Sequence, residues 1–307
     1  MKRLRPFLFF LGLITGLLLL LYQLGIGLIN IDRNSFQVLN WGKLVLGLLS
    51  TFIVILVQMF NWKMIMKGLG VPLTYPQVLR GYLMSFLPRY IPGTVWGYLG
   101  RSEWLYRSHS VQYRVSNLGS FLEILVAFIS GIIIVAIWQL PKVADYKSVL
   151  IIFSIILLPL VIWWLMIRIG SRTKRFRWLE KMLPAGSLDK FSLSDWLLTI
   201  GIFLAQWMIY GLSLWFIAGA FSIENIDLLK KWVELSASFS LAWMCGFLVF
   251  IAPAGVGFRE TVLIALLNFQ FGSLTIATIA AIIARIFLSV SELLGIFVGL
   301  VIPKESE

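Results

Sequence analysis

Cysteine and histidine are almost absent from this chain, which has one of each. Cys245 alone can form neither a disulfide framework nor a cysteine-based metal site, and His109 alone cannot build a histidine metal cluster. We therefore expect no metal and no cofactor. Charged residues are also scarce, at 13% of the 307 residues, whereas 60% are hydrophobic and the mean hydropathy is +0.92. This composition excludes a water-soluble domain and predicts a membrane protein.

Motifs for nucleotide hydrolysis and for serine-based catalysis are missing from the sequence. There is no Walker loop to hold a nucleotide phosphate, and no Gly-x-Ser-x-Gly element to present a nucleophilic serine. The net charge of +12 would suit nucleic acid, but no nucleic-acid-binding motif accompanies it. Basic residues that collect on cytoplasmic loops account for this charge better. We expect no catalytic residue and no nucleic-acid partner.

Apolar runs of about 20 residues determine the fold class, because that length crosses a bilayer core of roughly 30 Å. They predict an all-α polytopic membrane protein with about six transmembrane helices and two re-entrant helical hairpins, or eight helices if the hairpin arms span. Basic residues precede the first run, which we expect to be an uncleaved transmembrane helix rather than a signal peptide. The spanning helices are expected at residues 7–29, 41–66, 115–139, 149–169, 196–221 and 274–302.

The distribution of Lys and Arg orients the predicted helices. The most basic segment is 168–190, and the positive-inside rule places it in the cytoplasm together with both termini. We expect a multi-pass protein of the cytoplasmic membrane with a single domain over residues 1–307. The predicted order of elements is helix, helix, hairpin, helix in residues 1–147 and again in residues 148–307. The first half starts in the cytoplasm and the second starts outside, which predicts an inverted-topology repeat.

Two stretches rich in Pro and Gly interrupt the apolar sequence. In hydrocarbon an unpaired backbone group costs several kcal/mol, so such breaks must line a protein-buried or watery cavity. Matched breaks in the two halves of a chain point to a transport site. The break residues are Pro88, Pro92, Gly93 and Gly97 in the first stretch, and Pro253, Gly255 and Gly257 in the second.

Charged side chains at membrane depth are functional candidates, because each costs about 2.5–3.5 kcal/mol to insert. The guanidinium fork of Arg suits a phosphate, so we expect Arg101 and Arg259 to bind a phosphate in one polar cavity. The alternative is that these charges pair with one another and only lock the helices together. The candidate headgroup-binding residues are Arg101, Glu103, Arg259, Glu260, Arg285 and Glu292, and Glu123 is a candidate proton site.

The two breaks resemble those of the lysylphosphatidylglycerol synthase transmembrane-region family of flippase-like membrane proteins. The first element comprises Leu87, Pro88, Pro92, Gly93 and Arg101, followed by Glu123, and the second comprises Pro253, Gly255, Gly257, Arg259 and Glu260, followed by Arg285. The resemblance implies translocation of an anionic phospholipid, an aminoacylated phospholipid or a polyprenyl-phosphate-linked headgroup. The sequence has no counterpart of the aminoacyltransferase domain of full synthases, so we expect no aminoacyl transfer.

Two other functions fit the same residues. One is a membrane enzyme that acts on a lipid phosphate through an Arg and a Glu of a hairpin. The other is a non-catalytic membrane partner of a separate synthase or glycosyltransferase. The expected partners are membrane phospholipids or lipid-linked glycans, and the sequence makes no prediction about oligomeric state.

Overall fold

The computed structural model of the protein describes residues 39–89, 95–140, 146–170, 191–221, 228–249 and 255–302. All the regular structure in these ranges is helical. The helix predicted at 7–29 lies outside them. In chain order the helices are α1 (Trp41–Gly68), α2 (Tyr75–Met84), α3 (Phe86–Arg89), α4 (Trp96–His109), α5 (Tyr113–Gln139), α6 (Tyr146–Gly170), α7 (Leu193–Ala220), α8 (Leu228–Leu248), α9 (Phe258–Phe271) and α10 (Leu274–Val301).

Four of these helices, namely α1, α5, α7 and α10, are long and apolar enough to cross a membrane. Each begins and ends within a few residues of a predicted span, and α6 likewise covers the span predicted at 149–169. The prediction of an all-α polytopic membrane protein is confirmed. The inverted repeat and the orientation of the chain stay predictions.

The helices begin and end where local chemistry favours it. α2 starts with a capping box, in which the Thr74 hydroxyl accepts the Gln77 N–H and the Gln77 side chain accepts the Thr74 N–H at 2.9 Å. α9 ends at Gly272, whose φ of +65° is the left-handed conformation that terminates helices. This glycine separates α9 from α10 with a single tight turn.

The described part of the first predicted hairpin contains short helices. α2 has ten residues and α4 has fourteen, which is too short to cross a bilayer.

In the second hairpin the start of α8 contacts the end of α9, because Lys231 donates to the Gln270 carbonyl at 3.1 Å. The end of α8 contacts the start of α9 through Gly246 and Arg259. α8 and α9 are therefore antiparallel.

The chain forms two compact units, each discontinuous in sequence. Unit 1 comprises the described residues within Met1–Ile55, Phe86–Trp96 and Trp207–Leu294, and unit 2 comprises those within Leu56–Ser85, Gly97–Gln206 and Gly295–Glu307. The two pseudo-repeats at 1–147 and 148–307 were inferred from the order of elements along the chain, and they stay a prediction.

Candidate functional site

Unit 1 contains five charged side chains that come from both predicted breaks and from the last helix. They are Arg89, Arg259, Glu260, Arg285 and Glu292, and they are called here the break cluster. Four of them are candidates from the sequence. Arg89 is not among the site residues predicted from the sequence.

The backbone of the second break positions this cluster through glycine. Gly255 and Gly257 have φ values of +69° and +87°, which L side chains rarely adopt. A Cβ atom on Gly255 would also lie 2.9 Å from the Gly246 carbonyl oxygen in α8. The close approach of the two backbones therefore requires glycine at 255, and it brings the start of α9 against the end of α8.

Glu260 occupies the first turn of α9 and has two roles there. Its Oε2 accepts the Gly257 N–H at 2.7 Å, which satisfies a donor that the helix itself leaves unpaired. Its Oε1 lies 3.7 Å from Nε of Arg285 in α10. The carboxylate is 3% exposed. Glu260 therefore stabilises the start of α9 and connects it to the last helix.

Arg259 is buried beside Glu260, but it has a different environment. Its guanidinium carbon lies 4.6 Å from the centre of the Phe239 ring, which in turn stacks on Tyr210 at 4.1 Å. The described part of the chain offers the Arg259 guanidinium no hydrogen bond and no ion pair. Its charge is compensated there by the aromatic face of Phe239 and, at longer range, by the Glu260 and Glu292 carboxylates. Arg259 thus keeps its donors available for a ligand.

Arg89 links the first break to α10. Its Nη1 donates to Oε1 of Glu292 at 2.8 Å, and the two side chains are 26% and 4% exposed. The guanidinium also lies over Phe86 at 4.7 Å. Sequence reasoning missed Arg89 because its partner lies far along the chain. The usable signal was its position beside Pro88 inside a predicted membrane break.

The charges of the break cluster do not balance. Three guanidinium groups against two carboxylates leave a formal charge of +1. Both carboxylates are already paired, with Arg285 and with Arg89. The cluster can therefore accept an anion without breaking an existing pair.

Unit 2 contains a second buried arginine, Arg101 of α4. Its Nη2 lies 2.5 Å from Oε2 of Glu123 in α5, and Tyr82 donates its hydroxyl to Oε1 of the same carboxylate at 3.0 Å. The rings of Trp62, Tyr82 and Tyr98 lie 4.6–5.1 Å from the guanidinium carbon. Nε and Nη1 of Arg101 are buried and have no hydrogen-bond partner within the described residues.

Glu103 has a different setting from the other candidates. Its carboxylate is 43% exposed and accepts hydrogen bonds from Arg107 and from the Tyr113 hydroxyl. The Tyr113 hydrogen bond, followed by that of Arg107, lowers the pKa of Glu103 below its usual value. This carboxylate belongs to an exposed polar surface and is separate from the buried Arg101 pair.

The remaining candidates are break residues. Pro88 lies in α3, and Gly97 is buried as the second residue of α4. Pro92, Gly93 and Pro253 lie outside the described residues. Arg101 and Arg259 belong to different units, so a polar cavity shared by them stays a prediction. No group of metal-binding side chains occurs in the described ranges.

The second break combines left-handed glycines at 255 and 257 with the buried Arg259 and the capping Glu260. No curated protein matches this chain. The profile of the family described as "Lysylphosphatidylglycerol synthase TM region" matches residues 7–295. This range covers the described helices of both units up to the last two turns of α10. The chain therefore belongs to the lysylphosphatidylglycerol synthase TM region family.

Proposed function

We propose that this protein moves the phosphate-bearing headgroup of a lipid between the two leaflets of a membrane. The observation that carries the proposal is the state of Arg259. It is 6% exposed, and it has neither a hydrogen bond nor an ion pair within the described chain. A buried charge in a membrane protein is costly and is a functional candidate by default.

A phosphate is the ligand that fits this arginine best. Guanidinium donates in a planar fork that matches two phosphate oxygens, and such charge-assisted bonds are stronger than neutral ones. The first turn of α9 adds backbone N–H groups and the positive end of a helix dipole beside Arg259. The net charge of the break cluster favours an anion over a neutral ligand.

The lipid character of the ligand is inferred from the family and from the location of the site. The break cluster lies among helices that cross a membrane, so a ligand that reaches it from the bilayer brings only its headgroup into protein. Its acyl or prenyl chains stay in hydrocarbon. An anionic phospholipid, an aminoacylated phospholipid and a polyprenyl-phosphate-linked headgroup all carry the required phosphate.

The proposal also covers the membrane in which the protein lies, the orientation of the chain and the source of the lipid. The basic segment 168–190 favours a cytoplasmic position for itself and for both termini, with the protein in the cytoplasmic membrane. A separate synthase or glycosyltransferase would supply the lipid. Translocation is then either passive or coupled to protons, with Glu123 as the candidate proton site.

The test is lipid exchange in liposomes that contain the purified protein and headgroup-labelled phosphatidylglycerol. We expect exchange to be faster than in protein-free liposomes, and R259A to slow it roughly 10- to 100-fold, because a hydrogen bond to a charged group contributes about 1.5–3 kcal/mol. R114A is the matched control, since Arg114 is exposed and lies outside the site.

Three outcomes would contradict the proposal. The first is exchange no faster than in protein-free liposomes. The second is equal loss of exchange in R259A and R114A. The third is chemical conversion of the labelled lipid without exchange, which would favour the membrane enzyme instead.

A further inference from the structure

The surroundings of Arg259 are built by parts of α7, α8 and α9 that all belong to unit 1, and they begin where α7 approaches α8. A Cβ atom on Gly211 of α7 would lie 2.7 Å from the backbone nitrogen of Ser236 in α8 and 2.9 Å from its Cα. The Trp232 indole also donates to the Met208 carbonyl at 2.5 Å. Glycine at 211 therefore lets the two helix backbones come together, because a larger residue would collide with α8.

This close approach brings Tyr210 of α7 against Phe239 of α8. The two rings are stacked, with centroids 4.1 Å apart and planes 20° apart, and the two residues are 5% and 2% exposed. Trp207, three residues earlier in α7, lies 6.0 Å from the Tyr210 ring. A ring packed in this way keeps its orientation, because a buried side chain can turn only by displacing its neighbours.

Arg259 of α9 contacts α8 at two places. A Cβ atom on Gly246 would lie 2.8 Å from the Arg259 Cβ, and the guanidinium carbon lies 4.6 Å from the centre of the Phe239 ring. Phe239 and Gly246 are seven residues apart in α8, which is about two turns, so they share one face of the helix. The Arg259 side chain therefore begins at Gly246 and ends over Phe239.

An aromatic ring and a carboxylate leave a guanidinium in different states. A carboxylate accepts hydrogen bonds from the N–H groups, which lie in the plane of the guanidinium, and so occupies them. An aromatic ring attracts the cation through its flat face instead. A guanidinium that is held over Phe239 therefore keeps its N–H groups for a ligand, although the arginine is buried.

Two carboxylates of the break cluster compete with the ring for Arg259. Glu260 and Glu292 both attract its guanidinium at longer range. Without the ring, the guanidinium would be free to turn toward one of them and to form an ion pair. A phosphate would then have to break a buried ion pair before it could bind, which is unfavourable.

We propose that Phe239, backed by Tyr210, is a positioning residue for the phosphate site. Its ring holds the Arg259 guanidinium away from the carboxylates of the break cluster, so that the N–H groups face the lipid phosphate. Phe239 is buried and its side chain has no polar atom, so it acts on the phosphate through Arg259. This inference rests on the proposed function and adds a residue on which headgroup binding depends.

Lipid binding tests the inference on the full-length protein in detergent. The probe is short-chain phosphatidylglycerol, and the readout is the lipid concentration that gives half of the maximal rise in the thermal unfolding midpoint. We expect F239L to raise this concentration about tenfold, because a desolvated cation–π contact is worth roughly that factor. F239Y and F239W keep an aromatic face and should stay within about threefold of the parent.

F203L is the matched control for the loss of a buried ring. Phe203 of α7 is 3% exposed, compared with 2% for Phe239, and it belongs to unit 2. Each variant is compared with its own lipid-free midpoint, so a loss of stability by itself does not count as weaker binding. F203L should therefore bind the lipid like the parent. F239M provides a second non-aromatic variant if F239L does not fold.

Lipid exchange in liposomes tests whether Phe239 acts through Arg259. We expect F239L to slow exchange about tenfold. The double variant F239L/R259A should be no slower than R259A, because the ring then has no guanidinium to position. Two independent effects would multiply instead.

The outcomes separate this inference from the proposed function. Weaker binding in F239L with recovery in F239Y or F239W, in a protein that exchanges no lipid, would support the inference and contradict translocation. Three results would overturn the inference and leave translocation standing: unchanged binding in F239L, equal weakening in F203L, or multiplied effects in the double variant. Weak binding in both aromatic variants would also overturn it. A parent protein that short-chain phosphatidylglycerol does not stabilise would contradict the phosphate site and, with it, the inference.

Discussion

Arg89 donates to Glu292 at 2.8 Å and joins the first break to the last helix across 203 residues of sequence. In the same unit Arg285, seven residues before Glu292, lies 3.7 Å from Glu260 of the second break. Helix α10 thus has one charged link to each break. Because two turns separate these residues, both links leave the same face of the helix.

The Arg89–Glu292 pair should contribute measurably to stability. R89A removes this partner from the Glu292 carboxylate, which is 4% exposed in the parent protein. We expect a loss of about 2–3 kcal/mol in the free energy of unfolding, below the roughly 3–5 kcal/mol of a fully buried pair, because Arg89 is partly exposed. Chemical denaturation in detergent micelles measures it.

The matched control removes both charges. R89M/E292L replaces the pair with apolar side chains of similar size and should recover most of the loss, since an apolar substitute for a buried pair is often neutral. If R89A is as stable as the parent, or if the double variant is no more stable than R89A, the pair has no such role.

The helices could be predicted from sequence because hydropathy and chain length act locally. α5 begins two residues before the span predicted at 115–139 and ends with it. The partners of the charges could not be predicted in this way. Glu123 and Arg101 lie 22 residues apart in different helices, and no periodicity relates such positions.

Only part of the candidate site could be predicted from the sequence, again because contacts between residues far apart in the chain are not local. Burial cost identifies Arg259 and Glu260 as unusual from sequence alone. Their different roles depend on geometry, since Glu260 caps its own helix while Arg259 contacts Phe239. Arg89 was missed because only the folded chain brings Glu292 to it.

The close backbone approach at the second break can be measured with two glycines of similar conformation. Gly255 and Gly272 have φ values of +69° and +65°, so alanine at either costs about 1–2 kcal/mol in backbone strain. A Cβ on Gly272 meets nothing within 4 Å, whereas one on Gly255 meets the Gly246 backbone at 2.9–3.1 Å. Overpacking of this kind adds about 1–3 kcal/mol.

We therefore expect G255A to reduce the free energy of unfolding more than G272A does, by that added amount. G255A should also slow lipid exchange, because Arg259 lies on the same backbone approach through Gly246. Equal destabilisation by the two variants would show that the approach of α8 to α9 is not tight.

The exposed carboxylate of Glu103 predicts a pH-dependent effect. Its pKa in the folded protein is lowered, first by the Tyr113 hydrogen bond and then by that of Arg107. A lowered folded pKa contributes stability that is present above the unfolded value, near 4.5, and is lost as pH falls through the folded pKa. Y113F should therefore unfold at a lower temperature than the parent at neutral pH.

That difference should shrink to zero once the pH lies below the folded pKa of Glu103. Y106F is the control, because Tyr106 stacks on Tyr113 at 4.2 Å and keeps its ring in this variant. Thermal unfolding of the three proteins from pH 7.5 to pH 3 tests the prediction. A Y113F difference that is constant over this range would place its origin in packing rather than in the carboxylate.

The buried pair of unit 2 gives the sharpest single-atom prediction. Tyr82 has two roles, since its hydroxyl donates to Glu123 at 3.0 Å and its ring lies 4.6 Å from the Arg101 guanidinium carbon. Y82F removes only the hydroxyl, and we expect it to cost about 1.5–3 kcal/mol, the usual contribution of a hydrogen bond to a charged group. Y82L should cost about 2 kcal/mol more, because a desolvated cation–π contact is lost as well.

Y75F is the matched Tyr-to-Phe control for Tyr82. The Tyr75 ring lies under Lys63 at 3.2 Å, and its side chain is exposed, so loss of its hydroxyl should change stability by less than about 0.5 kcal/mol. Chemical denaturation in detergent ranks the variants. If Y82F and Y75F are equally stable, Glu123 does not depend on Tyr82, and Arg101 alone must hold that carboxylate in place.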